Sequence, residues 1–468
     1  MQGFGDDIFF ASIAELNTRL RKKEFKAEEL TKAFAHRLET LGPRYNALAL
    51  PLTKTALKRA KSVDDELKRE RFRGPLQGIP YGAKDLLALA GHPTTWGAKP
   101  YATQVLDETA TVLNKLDATG ALLIGKLALV ELAGGGGYRF PSASLFGPGL
   151  NPWDVTRWSG GSSSGSGAAV AAGLVPFALG SETNGSILTP SAFCGVTGLR
   201  PTYGLVSRHG AMALAWTMDK IGPLCRSAED CGLVLQQIAG GDPLDHGSAA
   251  KNFYYAPQYA RKFTDLKFGF SPADITNAEP DARPVFQAAM EVIRSIGASM
   301  VETALPEFPY AALSGIIIST EAASIFEPLI TSGGVDQLAD VKQAEGLKAG
   351  LEIPAKDYLK AMRIRSILKQ KYRELFSNVD VLIAPVRGTI APKVTEPLNG
   401  SPVTSGMAQL VTAGNLAGLP ALSLPCGFVN GMPVALQVAG PPFSENMILA
   451  IGREFQNRTD WHKRRPKV

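Results

Sequence analysis

The sequence predicts an α/β fold in which helices cover a β-sheet. Apolar segments of strand character alternate with helical patterns, as in residues 109–124, where a helix precedes the buried strand Ala121–Ile124. This alternation of strands and helices is typical of a sheet covered by helices. The chain also has 468 residues, of which 45% are hydrophobic, and this is enough for a large core. We therefore expect one large domain spanning residues 1–468.

Charge and hydropathy exclude several classes of partner. The sequence has no apolar run of about 18 residues, and its N-terminus MQGFGDDIFF is acidic where an export signal would be basic. The net charge of +6 is modest, and residues 462–467 contribute much of it without the interleaved aromatic side chains of a nucleic-acid-binding stripe. We expect a cytoplasmic protein that binds neither membranes nor nucleic acids.

The cysteines and histidines predict neither a metal site nor a cofactor. Structural zinc sites need ligands in close pairs. The five histidines are scattered, and so are the four cysteines, which are Cys194, Cys225, Cys231 and Cys426.

Residues 1–70 are predicted to form N-terminal helices that serve packing. Residues 12–41 have a helical pattern in two pieces, with a break near residues 23–25. The second piece has an apolar face made of Leu30, Phe34, Leu38 and Leu41. A charged amphipathic helix is predicted after the short apolar piece Ala47–Leu50. Its inward-facing residues are Ala56, Ala60, Val63 and Leu67.

Residues 71–242 are predicted to form the catalytic core, and they contain a segment that draws attention to one lysine. In GPLQGIPYGAKD (Gly74–Asp85), Gly and Pro punctuate an apolar segment that places Lys84 in a weakly polar setting. Composition leaves two interpretations open. Lys84 is either a surface residue or a buried amine whose lowered pKa makes it a base.

A second segment of this core favours catalysis by serine. The stretch GGSSSGSGAAVAAGLVPFALGSETNGSILTPSAFCGVTGLRP (Gly160–Pro201) places two Ser/Gly groups on either side of an apolar segment, with Ser162 and Ser186 at the two tips. Small residues around a hydroxyl let backbone N–H groups approach a substrate, as an oxyanion requires. The pattern indicates a site built from two loop tips, and a Gly/Ser linker beside a core helix is the alternative.

Two other glycine-containing segments resemble known loops only superficially. GALLIGKL (Gly120–Leu127) is similar to a phosphate-binding loop, but Leu127 stands where that loop needs a hydroxyl for magnesium. The run Gly134–Gly137 lacks the order of a dinucleotide-binding loop, and we expect its backbone to line a cleft.

The C-terminal half is predicted to add a helical lobe and to complete the sheet. Residues 243–377 are expected to form a variable lobe over the cleft, with strands at Leu266–Phe270 and Ser299–Thr303 and helices at Pro284–Ile296 and Asp357–Phe376. Residues 378–456 are expected to complete the core with the strand Val381–Pro385 and two strands in Gly414–Pro442, joined by an Asn430-Gly431 turn.

Three of these segments together resemble the amidase signature family of serine hydrolases. Gly160–Pro201 is similar to the family pattern. That pattern consists of GGSSGGS, then an Ala/Gly-rich run, then GSDTGGSIR-P-AAFCG--GLKPT, in the same order as in this chain. The family's lysine segment is similar to Gly74–Asp85, and Gly414–Pro442 adds a third match, so the resemblance spans about residues 16–456. It implies a large mixed central β-sheet covered on both faces by helices, and hydrolysis of amide carbon–nitrogen bonds.

The resemblance also implies a Ser-cisSer-Lys triad. Ser186 would attack the carbonyl and form an acyl-enzyme, Ser162 would follow a cis peptide bond and relay the proton, and Lys84 would accept it. The separation of 24 residues between the two serines equals the family's spacing.

The same resemblance assigns the surrounding groups. The oxyanion hole would consist of the backbone amides of Thr183, Asn184, Gly185 and Ser186. Gly136 and Ser162 would contact the substrate, and no metal would take part.

Three residues near Ser186 depart from the family pattern. Glu182, Asn184 and Leu188 stand where the family has Asp, Gly and Arg. The amide of Asn184 can still serve an oxyanion hole if its backbone tolerates a positive φ, which asparagine does better than most residues. The replacement of Arg by Leu188 removes a cation, so we expect neutral aryl or alkyl amides, as for an aryl acylamidase, together with esters and carbamates (urethanes).

Two other functions remain as alternatives. The segment Gly161–Gly165 fits the GxSxG pattern of α/β-hydrolase esterases, with Ser163 as nucleophile and a histidine drawn from His209, His246 and His462. A non-catalytic subunit or an amidotransferase subunit on the same fold is the second alternative. If the chain is an enzyme, its partner is a small-molecule amide, ester or carbamate, and a homodimer stays open.

Overall fold

An eleven-stranded sheet forms the centre of the molecule in the computed structural model, which describes residues 4–259, 261–398 and 409–468. Its strands are β1 (Leu48–Pro51), β2 (Pro80–Lys84), β3 (Leu122–Leu127), β6 (Phe177–Glu182), β7 (Thr197–Arg200), β8 (Lys220–Cys225), β9 (Lys267–Phe270), β10 (Ser299–Glu302), β11 (Val381–Pro385), β12 (Ala421–Val429) and β13 (Met432–Ala439). A separate ribbon pairs β4 (Leu150–Asn151) with β5 (Asp154–Trp158).

The strand order makes the sheet mixed, as predicted. The order is β1-β3-β2-β6-β8-β7-β12-β13-β11-β9-β10. The strand β2 pairs in parallel with both β3 and β6, and β9 pairs in parallel with β10 and β11, whereas the other pairs are antiparallel. The predicted α/β class is therefore confirmed, while the single domain over residues 1–468 stays a prediction.

Sixteen α-helices accompany the sheet in the described ranges. They are α1 (Asp6–Phe9), α2 (Ile13–Arg21), α3 (Ala27–Leu41), α4 (Thr53–Lys68), α5 (Thr111–Ala118), α6 (Ser164–Ala171), α7 (Leu188–Cys194), α8 (Ala228–Ile238), α9 (Pro272–Thr276), α10 (Arg283–Ser295), α11 (Tyr310–Ile325), α12 (Glu327–Thr331), α13 (Val341–Gly350), α14 (Ala355–Leu375), α15 (Leu410–Ala417) and α16 (Glu445–Asn457). In these residues we find no helix with the length and apolar character that crossing a membrane requires.

The N-terminal helices form where the apolar periodicity predicts them. The break near residues 23–25 separates α2 from α3, and a capping box between Ser12 and Glu15 begins α2. In α4 the four predicted inward residues are buried, and so is Asp64, whose carboxylate accepts hydrogen bonds from the backbone N–H groups of Ala27 and Glu28. This carboxylate therefore ties α4 to the first turn of α3.

Small side chains let α6 enter the centre of the molecule. All eight of its residues are buried. A β-carbon at Gly165 would lie 2.5 Å from the Ala47 carbonyl oxygen, and one at Gly167 would lie 3.0 Å from Pro190 of α7. The Ser/Gly/Ala composition is thus required by close packing, which places the loops before α6 and α7 side by side.

The strands of the C-terminal half also lie where the sequence predicts them. Asn430 and Gly431 join β12 to β13 with φ values of 50° and 79°, as a two-residue hairpin turn requires. The pair β9 and β10 forms one edge of the sheet. Residues 399–408 of the predicted segment 378–456 lie outside the described residues, as do residues 1–3 of the N-terminal segment.

The segment Gly120–Leu127 is not a phosphate-binding loop. Residues 122–127 form the parallel strand β3, and Lys126 is fully buried there, where it pairs with Asp85 at 2.8 Å. The lysine of this segment therefore has a structural ion pair in the core.

Candidate active site

Lys84 is buried at the end of β2 and contacts two serines. Its Nζ donates hydrogen bonds to Ser162 Oγ at 2.8 Å and to Ser181 Oγ at 2.9 Å. Lys84 and Ser162 are both fully buried. Of the two interpretations that composition left open, the structure therefore supports the buried amine.

The surroundings of Lys84 favour its neutral form. Burial lowers the pKa of Lys84 from 10.5 to about 7, and the carboxylates of Asp219 and Glu182 only partly oppose this shift. At neutral pH a large fraction of the Lys84 side chain is therefore an uncharged amine, which can accept a proton from a hydroxyl.

Backbone contacts hold the two serine loops together. A cis peptide bond joins Gly161 to Ser162, as the resemblance implied. The Ser162 carbonyl oxygen accepts a hydrogen bond from Val130 N–H at 3.1 Å, and the N–H of Ser163 donates to the Ser186 carbonyl oxygen at 3.3 Å. The structure thus brings together the two loop tips that the sequence predicted to form one site.

Ser186 faces a large cavity. The cavity has a volume of about 820 Å³, and Ser186, with an exposed fraction of 9%, lies in its wall. Gly134, Gly136 and Gly137 line the same cavity, as expected of the glycine run. Ser162 itself is fully buried beside this wall, so its direct contact with a substrate stays a prediction.

Four consecutive backbone amides, those of residues 183–186, have no acceptor among the described residues. In the described part of the chain, none of the N–H groups of residues 183–186 donates a hydrogen bond. The next two amides, those of Ile187 and Leu188, both donate to Glu182 Oε2, at 2.8 and 2.9 Å. The free donors are therefore those of the predicted oxyanion hole, Thr183 to Ser186.

Glu182 anchors this loop from inside the core. Its Oε1 accepts hydrogen bonds from Arg200 at 3.0 Å and from Asn415 Nδ2 at 2.7 Å, while its Oε2 accepts from the start of α7. Burial alone would raise the pKa of Glu182, but the Arg200 and Lys220 cations and these hydrogen bonds outweigh it, so the pKa is lowered. An ionised Glu182 thus holds the loop from inside the core, at the position where the family pattern has Asp.

Asn184 does not need a positive φ in this loop. Asn184 is not among the residues with positive φ, and Gly185 adopts φ +93° instead. Since the glycine takes the left-handed conformation, the asparagine at 184 needs none of the tolerance that we attributed to it.

The cavity of Ser186 contains a cation that the residues near Ser186 in sequence do not supply. Arg387, two residues beyond β11, lines the cavity, and its Nε and Nη2 donate to Thr189 Oγ1 at 3.2 and 3.0 Å. Arg387 lies 198 residues after Thr189 in the chain, so an argument from the neighbours of Ser186 in sequence could not find it. Arg387 therefore places a cation in the cavity wall, although Leu188 stands where the family pattern has Arg.

The alternative nucleophile Ser163 is held by the backbone. Its Oγ donates to the Ser181 carbonyl oxygen at 3.2 Å and accepts from Ser181 N–H at 3.3 Å. Of the three histidines considered for this alternative, His209 and His246 line a different, smaller cavity, and His462 lies near the C-terminus. This arrangement argues against the GxSxG interpretation.

The chain matches a known protein family over most of its length. The family model described as Amidase matches residues 29–449. The chain belongs to the amidase family. As a member of this family, the protein is an enzyme that hydrolyses amide carbon–nitrogen bonds.

Individual relatives of this amidase differ in their reported roles. It is 35% identical to a subunit of the glutamyl-tRNA(Gln) amidotransferase of Moorella thermoacetica, with 99% of each chain covered. It is 28% identical to the native peptide amidase from Stenotrophomonas maltophilia, with 98% of each chain covered and a TM-score of 0.84. A bacterial aryl acylamidase shares the fold, with a TM-score of 0.86 over 98% of each chain at 21% identity.

The sequence did not single out two further residues of this site. Ser181 lies at the second position from the end of β6 and accepts the other hydrogen bond of Lys84. Asp219 accepts from Thr183 Oγ1 and from the N–H groups of Leu214 and Ala215, and so fixes the loop beside β6. A serine among many serines and an acid before an apolar strand carry no distinctive sequence pattern.

Lys84→Met is expected to stabilise the fold of this amidase. The folded pKa of Lys84, about 7, lies below its unfolded value of 10.5, so between these values the unfolded state binds more protons and stability rises with pH. Because methionine has no such ionisation cost, we expect a gain of about 1–3 kcal/mol at pH 7, shrinking toward pH 10. Urea unfolding from pH 6 to pH 10 measures the difference.

Lys126→Met is the matched control for this measurement. Lys126 is also buried, but it pairs with Asp85 at 2.8 Å, so its removal leaves a buried carboxylate without its cation. Such a loss costs about 3–5 kcal/mol. A Lys84→Met protein that is no more stable than wild type at pH 7, or whose advantage does not change with pH, would contradict the lowered pKa of Lys84.

Proposed function

We propose that this amidase cleaves amides with an aryl or alkyl portion through a triad of Ser186, Ser162 and Lys84. The observation that carries this proposal is the 2.8 Å contact between Lys84 Nζ and Ser162 Oγ, in surroundings that lower the pKa of Lys84 to about 7. A neutral amine in contact with one hydroxyl, beside a cavity lined by a second hydroxyl, supports activation of a serine nucleophile.

In the proposed reaction, Ser186 Oγ attacks the carbonyl carbon of the substrate amide. The Ser186 proton passes to Ser162 Oγ, and the Ser162 proton passes to Lys84 Nζ. When the tetrahedral intermediate collapses, the carbon–nitrogen bond breaks, and the same two steps in reverse protonate the leaving nitrogen. Water then attacks the ester of Ser186, and the acid product leaves with Ser186 restored.

We assign the oxyanion to the amides of residues 183–186. These N–H groups are free of protein acceptors within the described residues, and the ionised Glu182 holds the following amides from inside the core. Donors that are fixed before the reaction stabilise developing charge without reorganisation, and each is typically worth about 3–4 kcal/mol of barrier.

The cavity wall supports a substrate with an apolar portion. Its apolar lining is contributed by several parts of the chain: Tyr138, Trp158, Phe193, Leu214, Ile318, Ile390 and Leu398. Ile318 belongs to α11, within the segment 243–377 that we propose as a lobe over the cleft. Because the relay protonates a nitrogen or an oxygen leaving atom equally well, we include esters and carbamates among the substrates.

Labelling with a fluorophosphonate tests the nucleophile. Such a reagent phosphonylates an activated serine, and mass spectrometry then locates the adduct. We expect the label on Ser186. A label on Ser163 would support the esterase alternative, and a folded protein without label would support a non-catalytic role in a complex.

A substrate panel at equal concentration tests the substrate class. It consists of 4-nitroacetanilide, a 4-nitrophenyl ester, an aryl carbamate, glutamine and malonamate. We expect all three aromatic compounds to be hydrolysed faster than glutamine and malonamate, because only they fill the apolar wall. Faster hydrolysis of both small charged amides would contradict this class while leaving the triad intact.

Membership of an amidotransferase complex is the second candidate function. The 35% identity to the glutamyl-tRNA(Gln) amidotransferase chain of Moorella thermoacetica, over 99% of each chain, favours it. Such a component would need its partners, so turnover by the purified chain alone on the aromatic substrates separates the two candidates.

A further inference from the structure

Four charged side chains line the large cavity, and their surroundings differ. Glu279 and Glu396 are exposed. Arg157 pairs with Asp154 at 3.4 Å. For Arg387, by contrast, no carboxylate of the described residues lies within the 4.0 Å of an ion pair. Among these residues, the cavity thus contains one partly buried cation without a counter-ion.

Only part of the Arg387 guanidinium is occupied by protein. Thr189 Oγ1 accepts from Nε and Nη2, which together account for two of the five N–H groups. Within the described residues the remaining N–H groups have no acceptor. Burial lowers the pKa of Arg387, and Tyr138 and Glu182 oppose this shift, but a guanidinium keeps its proton at any accessible pH. Arg387 is therefore a cation with unused donors.

This cation lies next to the proposed nucleophile. A β-carbon built on Gly185 would be 3.4 Å from Arg387 Nη2, and Gly185 directly precedes Ser186. Thr189, which holds the guanidinium, donates its N–H to the Gly185 carbonyl oxygen at 2.8 Å. A group bound by Arg387 would therefore lie beside Gly185, the residue that precedes the proposed nucleophile.

We propose that Arg387 binds a carboxylate of the substrate beside the scissile amide. The inference rests on the proposed function and deepens it by naming a second feature of the substrate. A guanidinium presents parallel N–H groups that match the two oxygens of a carboxylate, and such charge-assisted pairs are strong where water is excluded. The substrate then combines an apolar portion, held by the aromatic wall, with an anionic group held by Arg387.

The carboxylate can belong to the acyl half or to the amine half of the amide, and two matched pairs of substrates distinguish them. The acyl pair is N-succinyl-4-nitroaniline and its neutral analogue N-butyryl-4-nitroaniline. The amine pair is 4-acetamidobenzoate and its neutral analogue 4-acetamidobenzamide. In one pair we expect kcat/KM to be at least ten-fold higher for the carboxylate, mainly through KM. No preference in either pair overturns the proposal.

Variants of Arg387 then connect the preference to this residue. Arg387→Met should abolish the preference, and Arg387→Gln, which keeps a donor for Thr189 Oγ1 without the charge, should do the same if the methionine variant does not fold. Arg157→Gln is the matched control, since it removes a guanidinium of the same cavity that already has a carboxylate partner, and the preference should persist. A preference that survives both Arg387 variants overturns the proposal.

Failure of this inference and failure of the proposed function give different results. If Ser186 is not the nucleophile, the wild-type protein takes no fluorophosphonate label at Ser186. If only the carboxylate-binding role of Arg387 is wrong, Ser186 is labelled and the neutral anilides are hydrolysed. In that case the carboxylate member of each pair has a kcat/KM equal to or lower than that of its neutral analogue.

Discussion

Ser186→Ala is expected to lower kcat for amide hydrolysis by about 10⁴-fold or more, with the fold retained. Ser186 lies in the cavity wall, and the loss of one hydroxyl there leaves the buried hydrogen bonds of Lys84 to Ser162 and Ser181 in place. The effect is therefore chemical, because the variant loses the attacking hydroxyl while the hydrogen bonds around it remain. Turnover of 4-nitroacetanilide, together with the circular dichroism spectrum and unfolding midpoint, measures activity and folding separately.

Ser164→Gly is the matched control for this variant. Ser164 is the first residue of α6, and its Oγ has a weak contact to the Ala128 carbonyl oxygen at 3.5 Å. The family pattern has glycine at this position. We expect activity within a few-fold of wild type. Wild-type turnover by Ser186→Ala on every amide tested would show that the nucleophile is another residue.

Lys84→Arg is expected to be inactive between pH 6 and pH 10. In the wild-type protein Lys84 accepts the proton only when neutral, so kcat/KM should rise with pH along one ionisation centred near 7 and level off about one to two pH units higher. Arginine retains its proton throughout this range and cannot act as a base. Initial rates with the neutral anilide across the pH range give both profiles.

Lys369→Arg is the control for the pH profile. Burial also lowers the pKa of Lys369, to about 8, but this residue lies in α14 and lines a separate groove with Tyr203 and Arg373. The pH profile of this variant should match that of wild type. An active Lys84→Arg protein, or a rate that falls as pH rises through 7, would exclude Lys84 as the base.

Some elements are predicted correctly because their own sequence carries the pattern. The helices α2, α3 and α4 are predicted correctly because each buries one apolar stripe of its own sequence, and periodicity alone identifies such a stripe. The hairpin of β12 and β13 is predicted because Asn430-Gly431 encodes its turn locally.

One outcome comes from a contact between distant segments. Leu188 stands where the family pattern has a cation, and Arg387 supplies a cation to the cavity of Ser186 from beyond β11. At Asn184 the sequence left a positive φ open, and in the structure the neighbouring Gly185 has the positive φ. The position of Arg387 cannot be obtained from the residues next to Ser186, because Arg387 lies 198 residues after Thr189 in the chain.

Spacing and small-residue patterns are properties of one segment at a time, and they are enough to predict the fold class, the family and the candidates Lys84, Ser162 and Ser186. The burial of Lys84 with Ser162 and Ser181, and the position of Arg387 in the wall of the cavity that Ser186 lines, are seen only in the three-dimensional structure. Burial and counter-ions depend on the packing of segments far apart in the chain, and these set both the pKa of the base and the charge presented to the substrate.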